Sequence, residues 1–526
     1  MKKKTVSTVL SIALTAALAA GMSVYAEENA NITELVQQET MAESVSIGIS
    51  EDPQSLQPFG GPKDATFCYE TMGTRDAFAG EFYGVLMESW EQTGEKEFTA
   101  KIYDYIVDQA GNPLTASDVA FSWNKAKEVG ELGEINAVES IEAVDDTTVV
   151  FTWAAEPTLG SFESMMSDVF IVTEAAYNAS ADGMATTPVG TSPYKVTNYV
   201  SGVEIDFEYT GSYWQKPELC KTPGQIHNVE KIKLQLVQES AQMTNALATN
   251  QIDLSAKVTS EDIPNFAEGG QYAGTYNVDL VNNDSGYALI PNCSEESPLH
   301  DENLRKAVFW AIDTAMMETA LLGEGGQVNI VFGDSRYPDY DAAWEENYIG
   351  ADMEKAMEYM AASEYPDGCN LVLHMSSGLL LKDSMAELIQ AYLSMININV
   401  EIKSMPIGQY LQNEGDPAGW DLGLANFSAP DYLINVWIKL FDATGRENGT
   451  KNFIVDEDLQ ALIATAASID GHTAEAMTDL FNYLNDHAYV YGLIQPYNNV
   501  VYNKDKIAGY CFDMNIRLAP GAFLYN

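Results

Sequence analysis

Positive charge is scarce in this chain. Lys and Arg number 27 against 77 Asp and Glu, a formal net charge of −50 over 526 residues. A surface of that sign repels phosphate backbones, which argues against nucleic acid as a partner. Its plain physical uses are solubility and the attraction of cationic solutes. Histidine is scarce as well: His227, His300, His374, His472 and His487 lie at least 15 residues apart. No HExxH zinc helix exists, and no histidine pair has the spacing of metal ligands. The five cysteines, Cys68, Cys220, Cys293, Cys369 and Cys511, are separated by 152, 73, 76 and 142 residues. Those gaps fit no CxxC or zinc pattern. In an exported chain they allow one or two disulfides and leave an odd thiol free. Nucleophile and phosphate motifs are missing too. The nearest approach to a GxSxG elbow, Gly190-Thr191-Ser192-Pro193-Tyr194, lacks the second glycine. The glycines and lysine of residues 445–451 have the wrong spacing for a phosphate loop, and no EF-hand loop is found. No metal or cofactor is indicated. A secreted α/β hydrolase remains as a rival reading in one form, a glycosidase, because 77 acids make chance carboxylate pairs inevitable and any single pair uninformative.

What is present is core-forming material. Apolar residues make up 46% and aromatics 10%, enough for the three or so folding units that this length implies. The N-terminus reads as an export signal. Lys2, Lys3 and Lys4 precede an uncharged apolar run over residues 6–20, and Val24-Tyr25-Ala26 places small residues at −3 and −1 of a cleavage site after Ala26. Loss of those three lysines would move the net charge from −50 to −53. Gly21 stands where a lipoprotein box would carry its acylated cysteine, so this segment predicts no lipid anchor. No later run approaches 18 apolar residues.

Periodicity then predicts the elements. Residues 27–44 form a polar leader, expected to be helical, and residues 45–49 alternate as a strand ended by Glu51-Asp52-Pro53. A strand at 98–107, a turn at Gly111-Asn112-Pro113 and a Thr115-capped helix over 116–129 follow. Residues 141–144 and 147–153 make a hairpin around Asp145-Asp146. The Gly/Pro-rich stretch 188–193 marks a boundary. Strands at 202–209, 229–237 and 252–254, with a helix at 240–249, come next, then strands within 274–291. One long helix is expected over 301–322, with Leu304, Val308, Ala311 and Ile312 on its apolar face. Helix, strand, helix, strand at 353–362, 371–375, 382–395 and 400–405 suggest βαβ units. Helices at 459–467 and 474–487 and a late strand at 492–501 complete the pattern.

Several segments, taken in order, resemble the bacterial extracellular solute-binding proteins of family 5, the oligopeptide- and dipeptide-binding type that serves ABC importers. They are VSIGISEDPQSLQP at 45–58, LMESWE at 86–91 and GNPLTASDV at 111–119, the last being the most specific. GTSPY at 190–194 is followed by Tyr213-Trp214, and ALATNQID at 246–253 precedes PLHD at 298–301 with Arg305-Lys306-Ala307 and Ala311-Ile312-Asp313. The resemblance spans roughly residues 45–515. Read physically, these residues are mostly structural, with Asp118 complementing a helix dipole and Arg305 and Asp313 expected in ion pairs.

The resemblance implies a two-lobed α/β fold, the large three-domain variant of the type II periplasmic-binding-protein architecture, with the solute enclosed between lobes. Lobe I would comprise 45–68, 188–280 and 495–526, with 69–187 as an extra subdomain, and lobe II would comprise 281–494. The crossings between lobes would lie near 276–291 and 492–501. It further implies a non-catalytic, monomeric receptor on the outer side of the membrane or in the periplasm, delivering a small solute, a peptide above all, to importer permease subunits. An oligosaccharide is the alternative solute, since 28 Tyr and 8 Trp could supply stacking surfaces. In peptide-binding members an aromatic residue and an Asp, spaced W-x-x-D-Y-x-x-P, hold the peptide ammonium. Counting from Asp421 here, Phe427 takes the aromatic place, Pro430 falls on the Asp place, and Asp431 follows it. Asn426, Phe427, Ser428 and Asp431 are therefore candidate ligand contacts. Phe59 in the first loop, Asn283, Ser285 and Tyr287 near the first crossing, and Gln495 and Tyr497 near the second complete the set.

Overall fold

The computed structural model describes residues 30–32, 34–59, 67–75, 81–130, 132–282, 286–333, 335, 337–347, 349–427, 432–444, 450–513 and 517–526. The expected export signal, with Asn283, Ser285, Ser428 and Asp431, lies outside them. Two principal sheets divide the chain into two α/β lobes. The eight-stranded sheet runs Tyr194–Val200, Glu204–Tyr209, Val229–Leu236, Ala42–Ile49, Leu254–Ser255, Ile494–Asn503, Tyr276–Asn282, and Gly326–Val328 pairs with one end of Ile494–Asn503. Ala42–Ile49 lies parallel to Val229–Leu236, with Val45 opposite Ile232 and Ile47 opposite Leu234. All four side chains are buried. The two-residue period of a strand keeps them on one face, which pins the register.

The second lobe is centred on a five-stranded sheet in the order Ile398–Met405, Cys369–Ser376, Leu422–Phe427, Gly286–Pro291, Tyr491–Gly492. Its first two strands are parallel, and the helix Leu380–Ser394 joins them as a βαβ unit. Tyr287 and Leu289 enter the core on one face of the sheet, Ala288 and Ile290 the core on the other. Burial on both faces explains the unbroken apolar run of that strand.

A third unit joins the first lobe. Met87–Gly94, Glu97–Ile102, Thr148–Trp153 and Val138–Ala143 form an antiparallel sheet crossed by the helix Ala116–Val129. The Asp118 carboxylate accepts from the Thr115 N–H at 2.7 Å and hydroxyl at 2.8 Å, which sets the helix start. Gly130, at φ +77°, ends it.

Several expectations are corrected. The helix expected over 301–322 is two helices, Glu302–Ala311 and Thr314–Leu321. Ile312 is extended, and the Asp313 carboxylate caps the second helix by accepting from Met316 N–H at 2.8 Å. Aspartate gains more at an N-cap than inside a helix, so it breaks the apolar pattern there. Arg305 is not in an ion pair with Asp313. Its guanidinium donates to the carbonyls of Leu299 and His300 at 2.9 Å and of His487 at 3.0 and 3.1 Å. The leader is not helical over its described residues. It runs as a strap in which Ala30 N–H donates to Asp279 at 3.0 Å and Gln38 N–H to Asn228 at 2.7 Å. The strand expected to extend to residue 107 stops at Ile102, and Tyr194–Val200 is a strand that periodicity did not reveal. All five cysteines are free thiols.

Candidate ligand-binding cleft

Strand direction places the cleft. The parallel strands of the first sheet end at Ile49, Leu236 and Ser255, and those of the second at Ser376, Met405 and Phe427. The chain passes between the sheets twice. Tyr276–Asn282 leads into Gly286–Pro291, and Tyr491–Gly492 leads into Ile494–Asn503. Asn282 pairs with Tyr497, and Gly286 pairs with Phe427. Both crossings therefore adjoin the carboxyl edges of both sheets. Such an edge presents loops and free backbone groups to a crevice, where α/β sheets take their ligands.

Two adjoining cavities lie along the first lobe. One, of about 80 Å³, sits at the end of Ala42–Ile49 and is lined by Ile49, Glu51, Lys257, Asn498 and Arg517. The other, of about 130 Å³, lies toward the third unit and includes Tyr69, Glu70, Arg75, Phe170 and Gln225. Phe67, Arg517 and Leu518 wall both. The buried Glu70 carboxylate accepts from the Tyr213 hydroxyl at 2.5 Å and Trp214 Nε1 at 3.0 Å. Desolvation raises its pKa above the ordinary carboxylate range.

The crossings are held by an amide cluster around Asn329, a residue the sequence reading passed over. Gln327 Nε2 and Asn329 Nδ2 both donate to Gln495 Oε1, at 3.1 and 3.4 Å. The Tyr497 hydroxyl donates to Gln327 Oε1 at 3.1 Å. Asn329 also wedges between the crossings. A Cβ on Gly286 would sit 1.9 Å from its Nδ2, and one on Gly492 would sit 1.8 Å from its carbonyl oxygen. Both positions demand glycine because the backbones approach that closely. Gln495 and Tyr497 are thus brought together, as members of the crossing.

On the second lobe, Tyr287 and Asn426 are register partners at the carboxyl edge. Phe427 ends the Leu422–Phe427 strand beside them. Phe59 does not join this group. It is 2% exposed, and its ring packs on Tyr177 with centroids 5.5 Å apart, inside the first lobe's core. Lys382 does join it, and the sequence reading missed it. This lysine lies in the first turn of Leu380–Ser394 and is 4% exposed. Its Nζ donates to Ser376 Oγ at 2.9 Å and lies 5.9 Å from the Tyr287 ring centroid. Burial lowers its pKa from the ordinary lysine value. The available signal was positional: a lysine just after a loop that leaves the carboxyl end of a parallel strand.

Away from the crossings the third unit touches the second lobe. Leu159 N–H donates to the Ala467 carbonyl at 2.9 Å, and Asn435 Nδ2 donates to the Leu159 carbonyl at 3.4 Å. The Arg75 guanidinium lies 4.6 Å from the Tyr432 ring centroid. The two lobes therefore meet at the rim as well as at the crossings.

Two α/β lobes, crossing strands and a crevice at the facing sheet edges define a binding protein of the periplasmic two-lobed class. Residues 81–440 match the model of the bacterial extracellular solute-binding proteins, family 5 Middle, and the chain belongs to that family. The probable D,D-dipeptide-binding periplasmic protein DdpA of Escherichia coli is 24% identical over 508 residues, covering 89% of this chain and 91% of that protein. Among solved structures, HbpA2 from Haemophilus parasuis superposes with a TM-score of 0.77 at 17% identity, covering 92% of this chain and 100% of its own. DppA from Helicobacter pylori, in complex with the peptide STSA, gives 0.70 at 19% identity, covering 91% and 98%.

Proposed function

We propose that this protein is the extracytoplasmic receptor of an ABC importer, enclosing a peptide between its lobes and handing it unchanged to the permease. One observation carries the reading: the carboxyl edges of both sheets face the same two crossing segments, so a rotation about those segments opens or closes the crevice. The solute binds better to the closed form, where both lobes touch it, and shifts the population toward closure. The rim contacts of Leu159 with Ala467 and Asn435 belong to that closed form. The peptide class is supported by the dipeptide-binding relative, which aligns along most of both chains. The first lobe is assigned to 45–68, 188–280 and 495–526 with 69–187 as its added unit, and the second lobe to 281–494. Residues 1–26 direct export and are removed after Ala26. On the second-lobe side Tyr287, Asn426, Phe427 and Asp431 contact the solute, with Asp431 serving its ammonium.

The test is native mass spectrometry of the freshly purified mature chain, followed by melts with peptide pools. A bound peptide ladder is expected. A peptide at a hundred times its Kd should add about 2.7 kcal/mol of stability without any product appearing. Turnover of the added peptides, or no compaction in X-ray scattering with any peptide pool, overturns the receptor reading.

A further inference from the structure

The larger of the two cavities, about 130 Å³, lies where the third unit packs on the first lobe's sheet. Its walls are mainly rings and aliphatic groups. Tyr69 and Phe170 stand on the third unit's side, Tyr194 and Ile232 belong to the sheet, and Phe67 and Leu518 come from loops. Both tyrosine hydroxyls are already satisfied. Tyr69 donates to the Leu56 carbonyl at 2.9 Å, and Tyr194 donates to the Val229 carbonyl at 2.8 Å. The acidic groups on the walls are held as well. The Asp513 carboxylate accepts from Arg517 Nε at 2.7 Å, and Glu70 accepts from Tyr213 and Trp214. Two features place the cavity beside the crevice. It shares Phe67, Arg517 and Leu518 with the cavity at the end of Ala42–Ile49, and Arg75 on its wall lies 4.6 Å from the Tyr432 ring of the second lobe. Protein interiors are closely packed, so space of this size between packed elements is costly unless something fills it.

We infer that this cavity is the specificity pocket of the receptor: it takes one bulky apolar side chain of the enclosed solute, the ring of a Phe or the branched end of a Leu. Size supports the assignment, because an apolar cavity of roughly 150 Å³ admits benzene. Chemistry supports it too, since aromatic and aliphatic walls reward a guest for the water it leaves behind. The inference rests on the receptor reading and deepens it, since it names which peptides the receptor prefers. It also gives the third unit a task in recognition, as one wall of the pocket.

The test uses the mature full-length protein, stripped of carried solute by unfolding and refolding. The probes are two pools of synthetic short peptides, one of Ala and Ser alone and one with a single Phe or Leu in each member. The Phe/Leu pool should bind roughly ten- to a hundredfold tighter, the gain expected from burying one large apolar side chain. Benzene occupies the same space, so its addition should reduce that preference. Ser167→Phe should reduce it as well, because Ser167 is a half-buried wall residue on the helix Ser161–Asp168 and a ring there fills the cavity. The benzene competition needs no variant, so it decides the matter even if Ser167→Phe fails to fold. Equal binding of the two pools, or a preference that neither benzene nor the substitution reduces, overturns the pocket and leaves the receptor standing. If neither pool binds, the peptide reading falls, and benzene added to the solute-free wild type judges the cavity separately. A raised melting temperature then supports an apolar pocket, and an unchanged one overturns it.

Discussion

The histidine at the centre of the second lobe makes acid sensitivity a quantitative matter. His374 is 1% exposed and lies in the strand Cys369–Ser376. Its ring stacks on Trp420 at 4.4 Å with 6° between planes, and Tyr410 lies 4.8 Å away. Asn413 Nδ2 is 3.0 Å from Nδ1, which makes Nδ1 an acceptor and keeps the ring neutral. Burial lowers its pKa to about 3, against an ordinary value near 6.5. The unfolded chain therefore takes up a proton below about pH 6.5 that the folded chain refuses until about pH 3. Stability from this site is complete above neutral pH and falls as the pH drops through that window, by about 1.4 kcal/mol per unit. At pH 5 the loss is roughly 2 kcal/mol. Urea unfolding of wild type and His374→Gln, followed by circular dichroism at pH 7 and pH 5, isolates the term, because every other group titrates alike in both proteins. The wild type should lose about 2 kcal/mol more than the variant between the two pH values. Equal losses in the two proteins would refute the account of a neutral, desolvated ring.

Three further outcomes are expected. Gly492→Ala places a methyl 1.8 Å from the Asn329 carbonyl oxygen and 2.7 Å from that of Ile330, so a backbone segment of the crossing must move. Its cost should be roughly 1–3 kcal/mol in thermal melts, with a changed radius of gyration, and a wild-type melt and scattering profile would contradict the wedge. Arg305→Lys keeps the charge but loses the fork that serves three carbonyls, and should cost roughly 2–4 kcal/mol in urea unfolding. A cost under about 0.5 kcal/mol, the scale of a neutral surface change, would show those bonds to be dispensable. Thiol titration without reductant should count five reactive cysteines in denaturant. In the folded protein at pH 8, Cys68 and Cys511 should stay silent, and Cys220, Cys293 and Cys369, pushed up to about 11, should react slowly. A count of three or fewer in denaturant would reveal a disulfide.

Local rules were legible in the residue order wherever the deciding partners lie close in the chain. The start of the helix Ala116–Val129 depends on Thr115 and Asp118, three residues apart. The βαβ unit at 369–405 announced itself through alternating apolar periods. The same logic misled at 301–322, where an apolar stripe continues across a helix break and only the capping role of Asp313 ends it. Family segments such as GNPLTASDV carried the two-lobed architecture through a resemblance, and the family match over residues 81–440 spans that segment. They carried little about the site, since much of what surrounds the solute is set by long-range contacts.

The order of residues alone determined the scarcity of basic groups, the absence of nucleophile and metal motifs, and the strands and helices whose periods are local. Only the folded chain decided that Asn329 meets Gln495, 166 positions away, between two glycines of different crossings. Only it decided that Lys382 lies buried at the cleft edge with no carboxylate partner among the described residues, while Phe59 sinks into a core. Burial and charge pairing depend on which surfaces pack together. That packing joins segments far apart in the chain, so no window of sequence contains the answer.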